Sequence, residues 1–193
     1  MVAVQRVGAV ILAAGESRRF GSPKQLALLD DRTLLEHVVG QARVAGLAPT
    51  VAVVPVWLTR PATMTDPGLG WVRNPHPERG MSYSLRLGFE ALPDEVGAAV
   101  ILLGDQPTVS VKHLKALVAA RGNHPIVATR ADGHTGPPIL VERSQFGIIE
   151  GPRGDIGLRE LLQAHPEWVR AVEVATHPPD IDTPADLERL CGG

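Results

Sequence analysis

The stretch GAVILAAGESRRFGSPKQL, residues 8–26, joins a short apolar run to a loop of small and basic residues. Residues 10–12 predict a buried strand, because a continuous apolar run followed by turn residues is typical of the interior of a parallel sheet. The glycines of the loop leave backbone N–H groups open to an anion, and Arg19 and Lys24 can bind phosphate oxygens. The stretch therefore predicts a strand that ends in a polyphosphate-binding loop. A surface loop with solvated basic side chains is the alternative.

Composition limits what kind of protein this is. The chain has 193 residues, of which 44% are hydrophobic and 21% charged, as is typical of a globular protein, so we expect a single domain over residues 1–193. The formal net charge of −2 argues against a nucleic-acid binder. Cys191 is the one cysteine, which excludes an internal disulfide. Because the sequence has neither a secretory leader nor an apolar run of the ~20 residues that span a bilayer, we expect a cytoplasmic protein with no membrane partner.

Apolar strand patterns alternate with helical patterns along the chain. Strands are predicted at residues 7–13, 50–54, 71–73, 98–103, 126–129, 139–141 and 168–174. Helices are predicted over residues 34–42 with Thr33 as N-cap, over 84–92 and 155–164, and after the N-caps Ser110 and Thr183. This alternation predicts an α/β fold with a mostly parallel sheet covered by helices, whose ligands bind beyond the carboxyl ends of the strands.

Two common phosphate-binding motifs are absent from the loop. Residues 12–24 contain neither the P-loop pattern G-x-x-x-x-G-K-[ST] nor the dinucleotide pattern G-x-G-x-x-G. Their own pattern, L-A-A-G-x-S-x-R-x-G-x-x-K, resembles the signature of nucleotidyltransferases that join a nucleoside triphosphate (NTP) to a phosphorylated acceptor. More narrowly, the chain is similar to the molybdenum-cofactor nucleotidyltransferases of the MobA/MocA type.

Four further stretches support the narrower resemblance and occur in the family's order. They are NPHPERGMSYSLRLG (residues 74–88), LLGDQP (102–107), GDIGLRELL (154–162) and DIDTPADL (180–187). The resemblance therefore covers nearly the whole chain. It implies a Rossmann-like, three-layer α/β/α nucleotidyltransferase fold, also called the nucleotide-diphospho-sugar transferase fold. It also implies transfer of a nucleotidyl group with release of pyrophosphate.

The resemblance assigns the catalytic roles to Arg19, Lys24 and Asp105. Asp105 follows a buried strand and a glycine, so we expect its carboxylate at the carboxyl edge of the sheet, where it can bind Mg²⁺. Asp180 and Asp182 lie on the same side of an extended segment. One of them is expected to be the second metal ligand, and the place of Asp182 in D-I-D-T-P favours it over Asp180. Capping of a turn or helix is the alternative role for each of these aspartates. No serine or cysteine lies in a recognisable pattern with His and Asp, so no covalent intermediate is expected.

The first loop and the segment 74–88 are expected to bind the nucleotide. The expected contacts are Leu12, Ala13, Ala14, Gly15, Arg19, Lys24, Asn74, Gly80, Met81, Ser82 and Ser84. Hydroxyls and free N–H groups at a helix start can bind a base edge or a ribose, and an ordinary N-cap explains Ser82 equally well. Ala14 favours CTP, because the cytidylyl branch resembles L-A-A-G whereas the guanylyl branch carries L-A-G-G. ATP and GTP are the alternatives.

The acceptor side departs from the family pattern. The cytidylyl branch usually carries G-H-P where this chain has Gly-Pro-Pro at residues 136–138, although His134 lies just upstream. Asp155 and Arg159 are the candidate contacts to the acceptor phosphate, with a solvated capping pair as the alternative. By resemblance the acceptor is molybdopterin bearing molybdenum, with a molybdoenzyme as client. The alternatives are another acceptor, such as a sugar phosphate, and a non-catalytic accessory protein that delivers the cofactor.

Overall fold

The computed structural model describes residues 6–149 and 162–192. The strands are β1 (Arg6–Leu12), β2 (Leu28–Leu29), β3 (Arg32–Thr33), β4 (Thr50–Pro55), β5 (Leu69–Asn74), β6 (Val96–Leu103), β7 (Ile126–Ala131), β8 (His134–Glu142) and β9 (Val169–Glu173). Strands β2 and β3 form a small antiparallel sheet, and the others form a seven-stranded sheet in the order β5-β4-β1-β6-β8-β7-β9. Within the large sheet, β8 runs antiparallel to its neighbours. The predicted mostly parallel sheet is confirmed.

Helices cover both faces of the sheet. They are α1 (Leu34–Val44), α2 (Met81–Glu90), α3 (Val111–Ala119), α4 (Phe146–Ile149) and α5 (Pro184–Cys191). On one face, Leu35 of α1 and Leu114 of α3 join a buried cluster with Ile11 of β1. On the other face, Phe89 of α2 joins a cluster with Val10. Because neighbouring residues of β1 face opposite helical layers, the three-layer α/β/α architecture is confirmed.

The described helices are short compared with a membrane span. In the part of the chain that the structure describes, none is long and apolar enough to cross a membrane. The longest of those given above, α1, has 11 residues, against the ~20 that a span requires.

The carboxyl ends of β1, β4 and β6 meet at one edge of the sheet. Leu12 lies in register with Val53 on one side and with Leu103 on the other. The N–H of Gly104 donates to the Leu12 carbonyl at 2.9 Å, and a Cβ at Gly104 would lie 2.8 Å from the Cβ of Ala13. Glycine at this position therefore lets the segment after β6 close against the segment after β1. This is the edge at which parallel sheets bind ligands.

Local capping signals determine where three helices begin. Thr33 accepts a hydrogen bond from the N–H of Glu36, whose carboxylate accepts one from the N–H of Thr33, so α1 begins with a capping box. Ser110 caps α3, and Thr183 caps α5 with Pro184 in the first turn. The N-caps predicted from the sequence are confirmed at all three positions.

The second helix begins earlier than its apolar spacing predicts. Helix α2 starts at Met81, and its N-cap is Gly80, whose φ of 80° lies in the left-handed region that favours glycine. The interpretation of Ser82 as an N-cap is therefore wrong, because Ser82 lies inside the first turn. Residues 155–161 of another predicted helix lie outside the described residues.

Strand β8 is longer than the sequence predicts. The prediction covers residues 139–141 and places the prolines at 137–138 in a connection. Proline lacks the N–H that a sheet ladder uses. The strand nevertheless extends back to His134, since its first residues pair with β7 beyond a register shift. The Asp-Gly turn at residues 132–133 has positive φ at both positions, as two-residue hairpin turns favour.

Two helical glycines test the packing between α2 and β1. A Cβ at Gly88 in α2 would clash with Val10, whereas a Cβ at Gly40 in α1 would meet the flexible guanidinium of Arg32. We expect Gly88→Ala to lower the free energy of unfolding by about 1–3 kcal/mol, since the core must shift to admit a methyl group. We expect Gly40→Ala to leave it unchanged or to raise it by up to about 1 kcal/mol, because alanine is the better helix former. Urea denaturation measures both, and equal effects would contradict this packing.

Candidate active site

A buried glutamine holds the loop after β1. The Gln25 side chain is buried, and its Nε2 donates to the carbonyls of Ala13 and Gly15, both at 2.8 Å. Its Oε1 accepts from the Ser17 hydroxyl at 3.3 Å, and the same hydroxyl accepts from the backbone N–H of Lys24 at 3.2 Å. These hydrogen bonds fix the start of the loop and the backbone of Lys24 against one another.

The ammonium group of Lys24 lies between two carboxylates. Its Nζ is 2.5 Å from Oδ2 of Asp105 and 3.1 Å from Oδ1 of Asp182. The backbone carbonyl of Asp105 accepts from the N–H of Ile181 at 3.0 Å, which ties the segment before α5 to the end of β6. Asp182 also pairs with Nη2 of Arg19 at 2.8 Å. Three distant segments of the chain thus contribute to one cluster of two cations and two anions.

Burial and charge act in opposite directions on this cluster. Burial alone would lower the pKa of Lys24, but the hydrogen bonds and charges of Asp105 and Asp182 outweigh it, so the pKa is raised above its ordinary value. Lys24 is therefore protonated at neutral pH. Burial raises the pKa of Asp180, and the nearby carboxylates of Asp105 and Asp182 raise it further. These effects outweigh the hydrogen bond from Gln106, which lowers it.

A cavity of about 250 Å³ opens beside the cluster. It is lined by Leu12, Ala13, Ala14, Gly15, Lys24, Gln25, Pro77, Gly80, Met81, Ser84, Leu103, Gly104 and Asp105. The residues predicted for nucleotide binding or catalysis that line it are Leu12, Ala13, Ala14, Gly15, Lys24, Gly80, Met81, Ser84 and Asp105. The first loop and the start of α2 therefore face the same space. A Cβ at Gly15 would meet no atom of the described residues within 4 Å, so the loop is open at this point.

Other predicted residues lie outside the lining of this cavity. Asn74 is fully buried, and its Nδ2 donates to the Ser84 hydroxyl at 2.9 Å, so it positions a cavity residue. Ser82 is buried in α2. Arg19 and Asp182 pair with each other, and most of the Arg19 side chain is exposed.

The Gly-Pro-Pro segment has a histidine neighbour that the motif comparison did not identify. The predicted residues Asp155 and Arg159 lie outside the described residues. A Cβ at Gly136 would lie 3.4 Å from Cε1 of His177, whose Nε2 is 3.1 Å from the carbonyl oxygen of His134. An imidazole from a distant segment therefore packs against Gly136 of the Gly-Pro-Pro segment, which stands where the cytidylyl-branch pattern has G-H-P.

The carboxylates of the cluster suit a hard divalent cation. Oδ1 of Asp105 is buried, and no donor in the described part of the chain satisfies it. Asp182 offers a second carboxylate on the same ammonium group. Within residues 6–149 and 162–192, no group of three or more His, Cys, Asp or Glu side chains is arranged to hold a metal. Substrate oxygens would have to complete the coordination, and one or two carboxylates with phosphate oxygens is the usual set for Mg²⁺.

Two glutamines of the site were missed in the sequence. Gln25 directly follows Lys24, and Gln106 directly follows Asp105. Gln106 is buried, and its Nε2 donates to Oδ1 of Asp180 at 2.9 Å. The signal in the sequence is an uncharged polar residue directly after Lys24 and directly after Asp105. Their burial depends on distant segments and could not be inferred from local sequence.

Comparison with known proteins agrees with this geometry. Residues 9–169 match the family described as the MobA-like NTP transferase domain. The chain is also 30% identical to the purine catabolism protein PucB of Bacillus subtilis, over 94% of each chain. The fold and the family match are those of a nucleotidyltransferase. The chain belongs to the MobA-like NTP transferases.

Solved structures share the whole fold. Rv0371c of Mycobacterium tuberculosis superposes with a TM-score of 0.85 at 30% identity, covering 98% of this chain and 100% of that one. Its manganese complex superposes with a TM-score of 0.80 at 26% identity, covering 98% and 99%. A nucleotidyl transferase of Methanothermobacter, 22% identical over 97% and 96% of the two chains, has a TM-score of 0.79. The predicted nucleotidyltransferase fold is confirmed.

Replacement of Gln25 by glutamate tests how the loop is held. The glutamate keeps the size of the side chain but sets a carboxylate against the carbonyls of Ala13 and Gly15, which then lack a donor. We expect Gln25→Glu to lower the free energy of unfolding by about 1–3 kcal/mol. We also expect it to weaken NTP binding by about tenfold or more, because the loop backbone at the cavity loses its support. Urea denaturation and titration calorimetry with an NTP measure the two effects.

The matched control is Thr50→Val. Thr50 is buried and donates to the Leu47 carbonyl at 3.1 Å, at the amino end of β4 and away from the loop. This variant should lose stability to a similar degree without any change in NTP affinity. Equal NTP affinity in Gln25→Glu and Thr50→Val would contradict the role given to Gln25.

Proposed function

We propose that this protein transfers the CMP group of CTP to a phosphorylated acceptor in a Mg²⁺-dependent reaction that releases pyrophosphate. The observation that carries the proposal is the Lys24 ammonium group, held between Asp105 and Asp182 beside the cavity of the first loop. Such a cluster offers a fixed positive charge and two carboxylates to the phosphates of an NTP. Membership of the NTP transferase family supports the same class of reaction.

The proposed reaction is a direct displacement at phosphorus. A phosphate oxygen of the acceptor attacks the α-phosphorus of CTP in line, and a new P–O bond forms. The bond from the α-phosphorus to the bridging oxygen breaks, and its electron pair leaves with pyrophosphate. Lys24 is protonated and already fixed in place, so it can stabilise charge on the phosphate oxygens without reorganisation. Arg19 offers a second cation, and its exposed guanidinium, paired with Asp182, can exchange that carboxylate for the leaving pyrophosphate.

Asp105 and Asp182 are the residues that would hold the Mg²⁺. The buried Oδ1 of Asp105, which lacks a donor in the described part of the chain, supports this assignment. Bound there, the cation would neutralise charge that develops on the phosphate oxygens. The manganese complex of Rv0371C supports a divalent metal in a protein of this fold.

We propose molybdopterin bearing molybdenum as the acceptor and a molybdoenzyme as the client of the product. A cavity of about 460 Å³ includes Gln106, Asp180 and His177 in its lining, next to the Lys24 cluster. Most of its other walls are proline and aliphatic side chains, including Pro137 and Ile139. Such walls suit a flat heterocycle better than the many hydroxyls of a sugar, which supports a pterin. The cavity of about 250 Å³ beside the Lys24 cluster is the proposed nucleotide cavity. The choice of CTP rests on Ala14, which lines it.

Replacing Lys24 tests the proposed catalytic role. We expect Lys24→Ala to lower turnover by about 100-fold or more, because the fixed charge beside the phosphates is lost. The fold should persist, as circular dichroism would show. Lys115→Ala is the matched control, since Lys115 is an exposed lysine of α3 that lines neither this cavity nor the one on the other side of the first loop. Wild-type turnover in Lys24→Ala would refute the proposal.

Pyrophosphate release with each of the four NTPs tests the substrates. We expect release with CTP and molybdenum-bearing molybdopterin. Release with a sugar phosphate as acceptor and not with molybdopterin would refute the proposed acceptor. Tight NTP binding without release from any acceptor would refute catalysis and support an accessory protein.

Removal of the metal tests the proposed cation. We expect EDTA to abolish pyrophosphate release and added Mg²⁺ to restore it. Asp105→Asn should raise the Mg²⁺ concentration needed for half-maximal rate, since an amide is a weaker ligand for a hard cation than a carboxylate. Full activity in EDTA would contradict this part of the proposal.

A further inference from the structure

An exposed tryptophan lies beside the first loop and has no part in the reaction described so far. Trp57 follows β4 and is 54% exposed. It lines a cavity of about 600 Å³ whose walls also include Pro55, Pro77, Ala14 and Gly15. We call this space the tryptophan cavity. An indole ring exposed next to a proposed nucleotide loop is a candidate for contact with the ligand.

The tryptophan cavity and the nucleotide cavity adjoin each other. Ala14, Gly15, Gln25 and Pro77 line both. The nucleotide cavity, at about 250 Å³, is smaller than the about 300–1,000 Å³ that small-molecule sites usually occupy. A whole NTP therefore needs space beyond the nucleotide cavity, and the tryptophan cavity provides it across the same loop.

The backbone on either side of Trp57 is fixed. The N–H of Leu58 donates to the Pro55 carbonyl at 3.1 Å, and the Leu58 side chain is buried. The indole N–H of Trp71 donates to the Leu58 carbonyl, also at 3.1 Å. These hydrogen bonds thus fix the turn, while the indole of Trp57 stays exposed to solvent. Because the backbone is already fixed, only the side-chain torsions of Trp57 become ordered when a ligand packs on the ring.

We propose that the indole of Trp57 stacks on the base of the bound NTP. This inference rests on the proposed function, because it takes an NTP as the ligand. Every base offers a π face, so stacking contributes affinity with little choice between bases. The choice of base is left to the contacts near Ala14, which lines both cavities. Trp57 is therefore a binding residue that acts on all four NTPs.

Calorimetric titration of Trp57→Ala tests the stacking. We expect the Kd of CTP, UTP, ATP and GTP to rise by about tenfold each. We expect the Kd of inorganic tripolyphosphate, which has no base, to stay the same. Val44→Ala is the matched control, because Val44 is another exposed apolar residue, 60% exposed, in α1. Val44→Ala should leave the Kd of the four NTPs and of tripolyphosphate unchanged.

Tryptophan fluorescence gives a second readout of stacking. Because the chain has three tryptophans, variants are needed to assign the signal. We expect CTP to quench the fluorescence of the unmodified protein. We expect the same quenching in Trp168→Phe, because Trp168 stacks on His165 in the unmodified protein. The quenching should be lost in Trp57→Phe. The phenyl ring of that variant should keep most of the CTP affinity.

The outcomes separate the stacking from the proposed function. An unchanged Kd for CTP in Trp57→Ala, or quenching that persists in Trp57→Phe, overturns the stacking and leaves the transferase proposal intact. An equal loss of tripolyphosphate affinity also overturns the stacking, because Trp57 would then act through the phosphates or the loop. Absence of NTP binding by the unmodified protein overturns both proposals.

Discussion

The Lys24 ammonium group holds together three segments that are far apart in the chain. It joins the loop after β1 to Asp105 after β6 and to Asp182 before α5. Without the lysine, two carboxylates would face each other in a partly buried place, where their repulsion is poorly screened. The backbone hydrogen bond from Ile181 to Asp105 fixes the same junction. The positions of the cavity walls therefore depend on one shared cation.

The rigid sheet and the loop contribute differently to the site. Strand β1 lies between β4 and β6, and Leu12 is held in register on both sides. The loop that follows has no such ladder, and the amide of Gln25 supplies hydrogen bonds in its place. Binding residues commonly lie on loops that a scaffold positions in this way. Here a single buried side chain performs the positioning.

The sequence predicts those features that local chemistry determines. The capping pair Thr33 and Glu36 and the apolar run of β1 specify their elements without help from distant residues. The extent of β8 could not be predicted, because pairing with β7 overrides the prolines inside it. The motif that contains Asn74 predicts a contact with the nucleotide. The Asn74 side chain is instead buried and donates to the Ser84 hydroxyl. Burial of such polar groups depends on tertiary packing, as it does for Gln25.

The two cations of the site differ in how open they are to water. The Lys24 and Asp105 side chains are 16% and 19% exposed, whereas the Arg19 side chain is 74% exposed. Mobile ions screen exposed charges over about 8 Å at physiological ionic strength and reach buried pairs much less. Added salt therefore loosens the outer guanidinium from its carboxylate while the inner ammonium keeps its place. The position of one cation of the site is fixed, and the pairing of the other with its carboxylate varies with the ionic composition of the medium.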